Sequence, residues 1–345
     1  MQDAMHIIFT LEDCVERQVL DDLCRSVVYI FAEGPHALDI IRMHIDKEIK
    51  VQDHSGTLFR SNGGTSKTMT YYTHCVGLEF LYKCLHETIL ECIANASDTA
   101  EVDSSKLKKD EDVNLNRWTL MAATQKILLA IIRGTDTMPT QMREICQYLQ
   151  HQCLVKFEDS RHTSVGGYIF LRLFCPALTS PVQFGLTKTK PNDQATRMLI
   201  LISKALQNLA NGIEFGGKEK HMIQINELVT QNLEKVRQYF DTISMVPENA
   251  ARSPIIPMPK DVRQRALACV FQTMLSNRDT LDAALKNHPA LKARFESFME
   301  NPAAEPAEML EKKSTARNLK KGSPQIEKKD GVTVDISPDD GVQAR

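Results

Sequence analysis

An all-α fold is predicted for this chain, on three observations. Apolar residues recur at helical spacing nearly throughout, alternating stretches bounded by turns are scarce, and the helical stretches are joined by polar loops. That is the pattern of a helical bundle. Leu11, Val15, Val19 and Leu23 stand four apart, and Val27, Ile30 and Phe31 continue the same side. After a polar, Gly-containing loop from His54 to Ser66, the stripe Met69, Tyr72, Val76, Phe80 and Cys84 predicts a second helix. Leu120, Thr124, Ile127 and Ile131 predict another, and Met142, Ile145, Leu149 and Cys153 the next. A helix from Ala195 to Asn211 has Met198, Ile202, Ala205, Leu206 and Leu209 on its apolar side. Two more are expected near Asp261–Leu275 and Asp279–Met299, beyond a connector, Pro247 to Pro259, that holds four prolines.

Between these helices lie breaks of different character. Asn95 to Val113 is polar and charged and reads as a surface excursion, and Ser180 to Asp193 as a Pro-flanked loop. From Asn301 to Arg345 the periodicity disappears and Pro, Lys, Glu, Asp and Ser dominate. Such a tail buries too little apolar area to offset its ordering entropy, so disorder is expected there.

Composition narrows the function classes. The 345 residues carry a formal net charge of -2, so no global basic field advertises nucleic acid or a membrane surface. No apolar run approaches the roughly 20 residues of a membrane span, and the start lacks a signal-peptide pattern. The nine cysteines form no CxxC pair and sit singly in apolar stretches, as Cys75, Cys84 and Cys146 do. That favours packed, reduced thiols in the cytoplasm over a disulfide framework. Asn95-Ala96-Ser97 fits a glycosylation sequon, which a cytoplasmic protein leaves unused. No GxSxG occurs, His86-Glu87 lacks the second histidine of a zinc-protease helix, and no Cys/His spacing suits zinc. No complete active site is legible on this chain.

Three features carry chemistry. The first is the loop around Arg60, with Gly56 before it and Gly63-Gly64 after it. It reads either as a solvated loop arginine or as a side chain projected by a tight turn. It is not a P-loop: Ser66 stands where the glycine before Lys67 belongs. The second is Arg172, alone in the apolar run Tyr168–Leu178. Its guanidinium cannot discharge, so it needs carbonyls, a carboxylate or water. A structural pairing, a solvent-facing arginine and a clamp on a backbone loop all satisfy that need. Pro176 is expected to end or kink this helix and so to set where Arg172 points. The third is the polar stripe of the Ala195–Asn211 helix, where Arg197, Lys204, Gln207, Asn208 and Asn211 fall on one side, with Lys218 and Lys220 just beyond. A solvated helix face and a surface for an acidic protein partner are both consistent with it.

In this order the three features resemble the Ras GTPase-activating protein family. The matching text is Thr57-Leu58-Phe59-Arg60, then Phe170-Leu171-Arg172 with Cys175-Pro176-Ala177 and Pro181. It continues in Lys204, Leu206 to Asn211, and Glu214-Phe215-Gly216-Gly217-Lys218-Glu219. Val102 to Leu107 and Met138-Pro139 agree too, and the similarity runs over roughly residues 5 to 300. The family resemblance implies a helical domain over about residues 1–300, with a central catalytic part at about 50–245 and a smaller part from the N- and C-terminal helices. It implies Arg60 as an arginine finger donated in trans to a Ras-type small GTPase in its GTP-bound form. It implies Arg172 as the stabiliser of the finger loop, and Leu171, Lys204, Gln207, Asn208 and Lys218 as groove positions meeting the GTPase. The chain would then need no cofactor of its own, since GTP and Mg2+ are held by the partner, and no autonomous enzyme activity. It would act in the cytoplasm and transiently at the inner face of the plasma membrane, through its lipidated partner. A GAP-like scaffold that binds without activating, an activator of Rap, and a helical interaction domain with no GTPase partner are the other readings. The sequence departs from the family at Gly63-Gly64, where relatives carry larger residues. Each glycine adds about 0.5–1 kcal/mol of ordering entropy, so a looser finger loop and weaker activity are expected.

Overall fold

The computed structural model describes residues 2–300 apart from 55, 57, 96–99, 110, 158–159, 249 and 256, together with 325–327 and 333–335. Thirteen α-helical segments account for most of the described chain. The protein is all-α, apart from two three-residue strands far along the C-terminal stretch, Gln325–Glu327 and Thr333–Asp335, which pair antiparallel with Ile326 opposite Val334. The rest of the predicted disordered tail lies outside the described residues, as do Ala96 and Ser97 of the sequon.

The chain divides into two compact units. One gathers Met1–Val51, Ser61–Cys75 and the chain from Pro254 through the last helix; the other gathers Gln52–Arg60 and Val76–Ser253. In the first unit, α1 (Gln2–Cys14) and α2 (Arg17–Phe31) meet α11 (Lys260–Ser276), α12 (Arg278–Ala284) and α13 (Pro289–Glu300) in one apolar cluster. Met5, Leu11, Leu23, Val27, Phe271, Leu281 and Phe295 lie inside it. Two sequence expectations are corrected here. The stripe from Leu11 to Phe31 is not one helix: the chain breaks at Val15-Glu16, and Val19 lies 39% exposed because the break rotates it off the buried side. The expected helix Asp279–Met299 is likewise two, parted at Asn287-His288 ahead of Pro289, whose ring suits a helix start. Between α2 and the loop lies α3 (Ala37–Val51), which none of the stripes named above contains.

In the second unit the buried stripes are those the spacing predicts. Leu120, Thr124, Ile127 and Ile131 of α5 (Val113–Arg133) are buried, as are Met142, Ile145, Leu149 and Cys153 of α6 (Thr140–Lys156). The Asp112 carboxylate caps α5 by accepting from Asn114 N at 2.8 Å, one of the orphan N–H groups every helix start must satisfy. Beyond α6 come α7 (Arg161–Ile169), a wide turn of π geometry (Phe170–Phe174), α8 (Cys175–Thr179), α9 (Asp193–Asn211) and α10 (Asn226–Ile243). Phe170 anchors this core edge-on to Phe174 at 5.4 Å and to Phe240 at 5.9 Å between ring centroids. The Asn95–Val113 stretch is not simply a surface excursion. Ala100, Glu101 and Val102 are buried, because Asn116 donates to Glu101 O at 2.9 Å and Arg197 holds the Glu101 carboxylate.

Helix α4 (Gly64–Ala94) starts within the first unit, and its beginning explains one of the two unusual glycines. Gly64 is its first residue, and a Cβ there would run into the Glu12 carboxylate. Glu12 is itself pinned: its side chain is only 3% exposed, and Oε1 lies 2.9 Å from His44 Nε2 and 3.7 Å from Cys24 Sγ. A carboxylate against the first turn of a helix also complements the helix dipole. Gly64 is therefore a packing requirement and part of a helix, whereas a Cβ on Gly63 would meet only Ser61 Oγ, at 3.4 Å. Gly64→Ala is expected to lower stability by about 1–3 kcal/mol, the usual cost of overpacking a held site. Gly63→Ala should change it by less than about 0.5 kcal/mol. Thermal melts of the two variants check this; equal melting temperatures would refute the packing account.

Candidate functional site

The site is built from the loop before Arg60, the α7–α8 segment and the end of α9, all within the second unit. Leu58 and Phe59 are buried at 3% and 1% exposure, and Arg60, the next residue, is exposed. The reversal is made by Phe59, which adopts φ +57°, the left-handed region that non-glycine residues rarely enter. The Arg172 guanidinium donates from Nη2 to the Phe59 carbonyl and holds that conformation from outside the loop. Such strain persists only where surrounding structure over-determines it, and here a buried ring on one side and a guanidinium on the other do so. From this turn Arg60 reaches along the surface and donates from Nη2 to Asn211 Oδ1 at 2.9 Å.

Two glycines let the pieces approach. A Cβ on Gly166 would stand 2.6 Å from Ala210 O, so α7 and the end of α9 touch backbone to backbone. On Gly167 a Cβ would sit at contact distance, 4.0 Å, from Leu58 O of the loop that carries Arg60. The end of α9 is shaped by Gly212 at φ +64°: the N–H groups of Gly212 and Ile213 turn back to α9 carbonyls, Ile213 N to Asn208 O at 3.0 Å. This left-handed cap satisfies the last carbonyls of the helix and fixes where Asn211 stands.

From Asn211 the polar stripe descends along one side of α9, Asn208 and Gln207 one turn below and Lys204 two turns below, a run of roughly 10 Å. All three are half-buried. Lys204 is not an open cation, because its Nζ meets Glu219 Oε1 at 2.5 Å. Lys218 is exposed next to that glutamate, at the start of the 3₁₀ segment Gly217–Ile225. The approach to this segment is braced by Asn226, whose side chain accepts from Phe215 N at 2.7 Å and donates to Phe215 O at 3.0 Å. Arg197, at the far end of the stripe, is bound: Nε and Nη2 grip Glu101 Oε2 and Oε1 at 2.7 and 3.1 Å.

Leu171 and Arg172 sit half-buried in the wide turn Phe170–Phe174. The disturbance expected at Pro176 takes the form of a widened turn: the regular geometry of α7 gives way at Phe170 and resumes at Cys175. The helical path continues through Cys175–Thr179 to Ser180, because the wide turn, closed by Cys175 N to Phe170 O, makes room for the proline ring. The structure thus links Arg60 with Asn211, Arg172 with Phe59, and Lys204 with Glu219. Sequence reasoning missed the roles of Asn211 and Glu219, the left-handed Phe59 and the wide turn. A proline inside the run Tyr168–Leu178, four residues after Arg172, was the available signal for the turn; nothing in the sequence marks Phe59 as left-handed.

The fold and this constellation define a helical module that presents one exposed arginine on a loop clamped by a second arginine. The chain carries a domain of the RasGAP family: residues 108–211 match the family model described as GTPase-activator protein for Ras-like GTPase. That match contains Leu171, Arg172, Lys204, Gln207, Asn208 and Asn211, and it ends before Lys218. Longer similarities take in more of the chain. A probable Ras GTPase-activating-like protein, ngap, of Dictyostelium discoideum is 29% identical over 289 residues, 81% of this chain and 32% of the relative. Ras GTPase-activating protein 1 of Homo sapiens is 31% identical over 252 residues, 72% of this chain and 24% of the relative. Neurofibromin-A of Dictyostelium discoideum is 29% identical over 255 residues, 68% of this chain and 28% of the relative. The chain spans between about a quarter and a third of the length of these relatives. Among the described residues, no helix is long and apolar enough to cross a membrane.

The Glu101–Arg197 grip supplies a pH test of how α9 is held. Burial raises the Glu101 carboxyl, but hydrogen bonds from Arg197 and from Asp103 N outweigh it, and the group lies below its ordinary value of 4.5. A carboxyl lowered by folding stabilises the fold above its unfolded value and loses that contribution as pH falls through the folded one. Glu101→Gln should therefore cost about 1–2 kcal/mol at neutral pH. The gap to the parent should close as pH falls below 4.5. Denaturant melts at several pH values check it; a pH-independent gap would remove the charge pairing as its cause.

Proposed function

We propose that this chain is a GTPase-activating domain that stimulates GTP hydrolysis by a Ras-type small GTPase, donating Arg60 to the partner's active site. The observation that carries the reading is the pairing of an exposed arginine with an external clamp: Arg60 projects from a turn whose carbonyl is held by Arg172. An arginine held this way needs no nucleophile or base on its own chain. Hydrolysis spreads negative charge over the γ-phosphate and the leaving oxygen, and a positioned guanidinium stabilises that distribution more than the ground state. GTP and Mg2+ are then the partner's, and the GTP-bound form is the one that carries the γ-phosphate for Arg60 to meet. Leu171, Gln207, Asn208, Lys204 and Lys218 form the proposed docking groove. Lys218 is exposed, while Lys204 acts with Glu219 as a paired unit. Action at a membrane comes through the lipidated partner. The exposed Arg60 favours an activator over a scaffold that only binds.

Arg60→Ala is expected to bind the GTP-loaded partner nearly as well as the parent and to lose most stimulation. Arginine donation is worth about 10³–10⁵ in rate in Ras-type systems, and the loss should fall in that range. Arg60→Lys should rescue poorly, since an ammonium cannot contact two oxygens with a planar fork. Single-turnover hydrolysis at saturating protein measures this across a panel of Ras-subfamily GTPases; parent-like stimulation by Arg60→Ala would overturn the assignment.

Arg172→Ala should also slow hydrolysis strongly, by at least about tenfold, although the bond it makes to Phe59 O is to loop backbone and not to a phosphate. Combined with Arg60→Ala it should add little, because residues acting as a unit are non-additive. A double-mutant cycle on single-turnover rate, run beside thermal melts, reads the coupling. Additive losses in folded variants would separate Arg172 from the finger.

A further inference from the structure

The helical path Arg161–Thr179 contains one wide turn, Phe170–Phe174, flanked by regular α-helix on both sides. Both flanks are docked on α9 independently. Upstream, Gly166 brings α7 against Ala210 O, and Tyr168 and Ile169 are fully buried. Downstream, Cys175 Sγ donates to Ser203 O at 3.5 Å and Ser203 Oγ donates to Cys175 O at 3.4 Å, while Ala177 and Leu178 are fully buried. A wide turn holds one residue more than an α-turn, which offsets the two flanks by one residue, about 100° around the axis. Within it Phe170, Leu173 and Phe174 stay in the core, and the two residues left at the surface are Leu171 and Arg172.

Proline acts on a helix at a defined place: it removes the N–H that would bond to the carbonyl four residues earlier, and its ring clashes with that carbonyl. Four residues before Pro176 is Arg172. The bond that closes the turn instead runs from Cys175 N to Phe170 O, five residues back. We propose that Pro176 is a positioning residue for the finger loop: by excluding a regular turn at Arg172, its ring enforces the wide turn that directs the Arg172 guanidinium to the Phe59 carbonyl. This rests on the reading of Arg172 as the loop's clamp. Pro176 touches no reacting group; it acts through Arg172 alone.

The test uses the whole chain with Pro176→Ala, which supplies the N–H, and Pro176→Val, which supplies it while keeping apolar volume near that of the ring. Both are compared with Arg172→Ala and with Pro176→Ala/Arg172→Ala. Three readouts are taken: thermal melts, amide hydrogen exchange of Leu58–Arg60, and single-turnover hydrolysis by a GTP-loaded Ras-type GTPase. Removing a proline from a helical path should leave melting temperature unchanged or raised. Exchange in the loop should nonetheless quicken by about tenfold, as in Arg172→Ala, and the double variant should exchange no faster than Arg172→Ala. Single-turnover rate should fall by about tenfold or more, with affinity for the GTP-loaded partner within about threefold of the parent. Parent-like exchange in both folded Pro176 variants would overturn the proposal, and so would full additivity with Arg172→Ala. Unfolding of both would overturn it too, by making Pro176 a folding residue. A parent protein that accelerates no Ras-type GTPase defeats the functional reading alone, because the exchange data still decide what Pro176 does.

Discussion

The site depends on one hydrogen bond, from the Arg172 guanidinium to the carbonyl of Phe59. Phe59 is a bulky residue in a left-handed conformation, a state that costs of order 1–3 kcal/mol unless its surroundings impose it. A charge-assisted bond to its carbonyl and burial of its ring are of the right size to offset that cost. Arg60 points outward because the chain reverses at the residue before it. On the proposed reading, the bond from Arg172 helps to keep the loop from relaxing to ordinary backbone and so helps to hold the direction of the arginine.

That bond needs a rigid origin, and the second unit supplies one by thinning its helices where they meet. Gly166 and Gly167 allow α7 to lie against the end of α9 and the Arg60 loop without intervening side chains. Backbone-to-backbone contacts have few rotamers to vary, so the geometry between Arg172, Phe59 and Asn211 is set by helix packing and not by flexible side chains. The left-handed Gly212 does the same for the α9 end, stopping the helix so that Asn211 is its last residue.

Much of this was legible in the sequence. The stripes of α4, α5, α6 and α9 are buried as their spacing requires, since amphipathic periodicity is imposed by the same burial that stabilises the helices. Arg172 stood out because an arginine in an apolar run has to find acceptors, and its acceptor is a carbonyl, one of the outcomes the chemistry allowed. Boundaries were less legible. The break at Val15-Glu16 leaves the i, i+4 pattern intact while rotating Val19 outward, so periodicity alone misses it. Pro176 was readable as a disturbance but not as a widened turn, because whether a proline ends, kinks or widens a helix depends on what holds the two flanks. Glu12, Asn211 and Glu219 act on residues distant in the chain, and no local pattern announces such pairings.

The hydrogen bond between Arg60 and Asn211 has a consequence for recognition. Arg60 is tethered, with part of its rotamer freedom already surrendered, so on the proposed reading a partner has less disorder to remove on docking. The tether must be released for the guanidinium to reach into another molecule, however, and a bond of this kind is worth about 0.5–1.5 kcal/mol net. On the proposed reading, arrival of the finger is therefore a swap of acceptors, from an amide oxygen to phosphate oxygens. Such a swap favours only a partner that presents stronger acceptors than Asn211 does. On that reading, discrimination for a charged, phosphate-bearing surface is built into the resting position of the side chain.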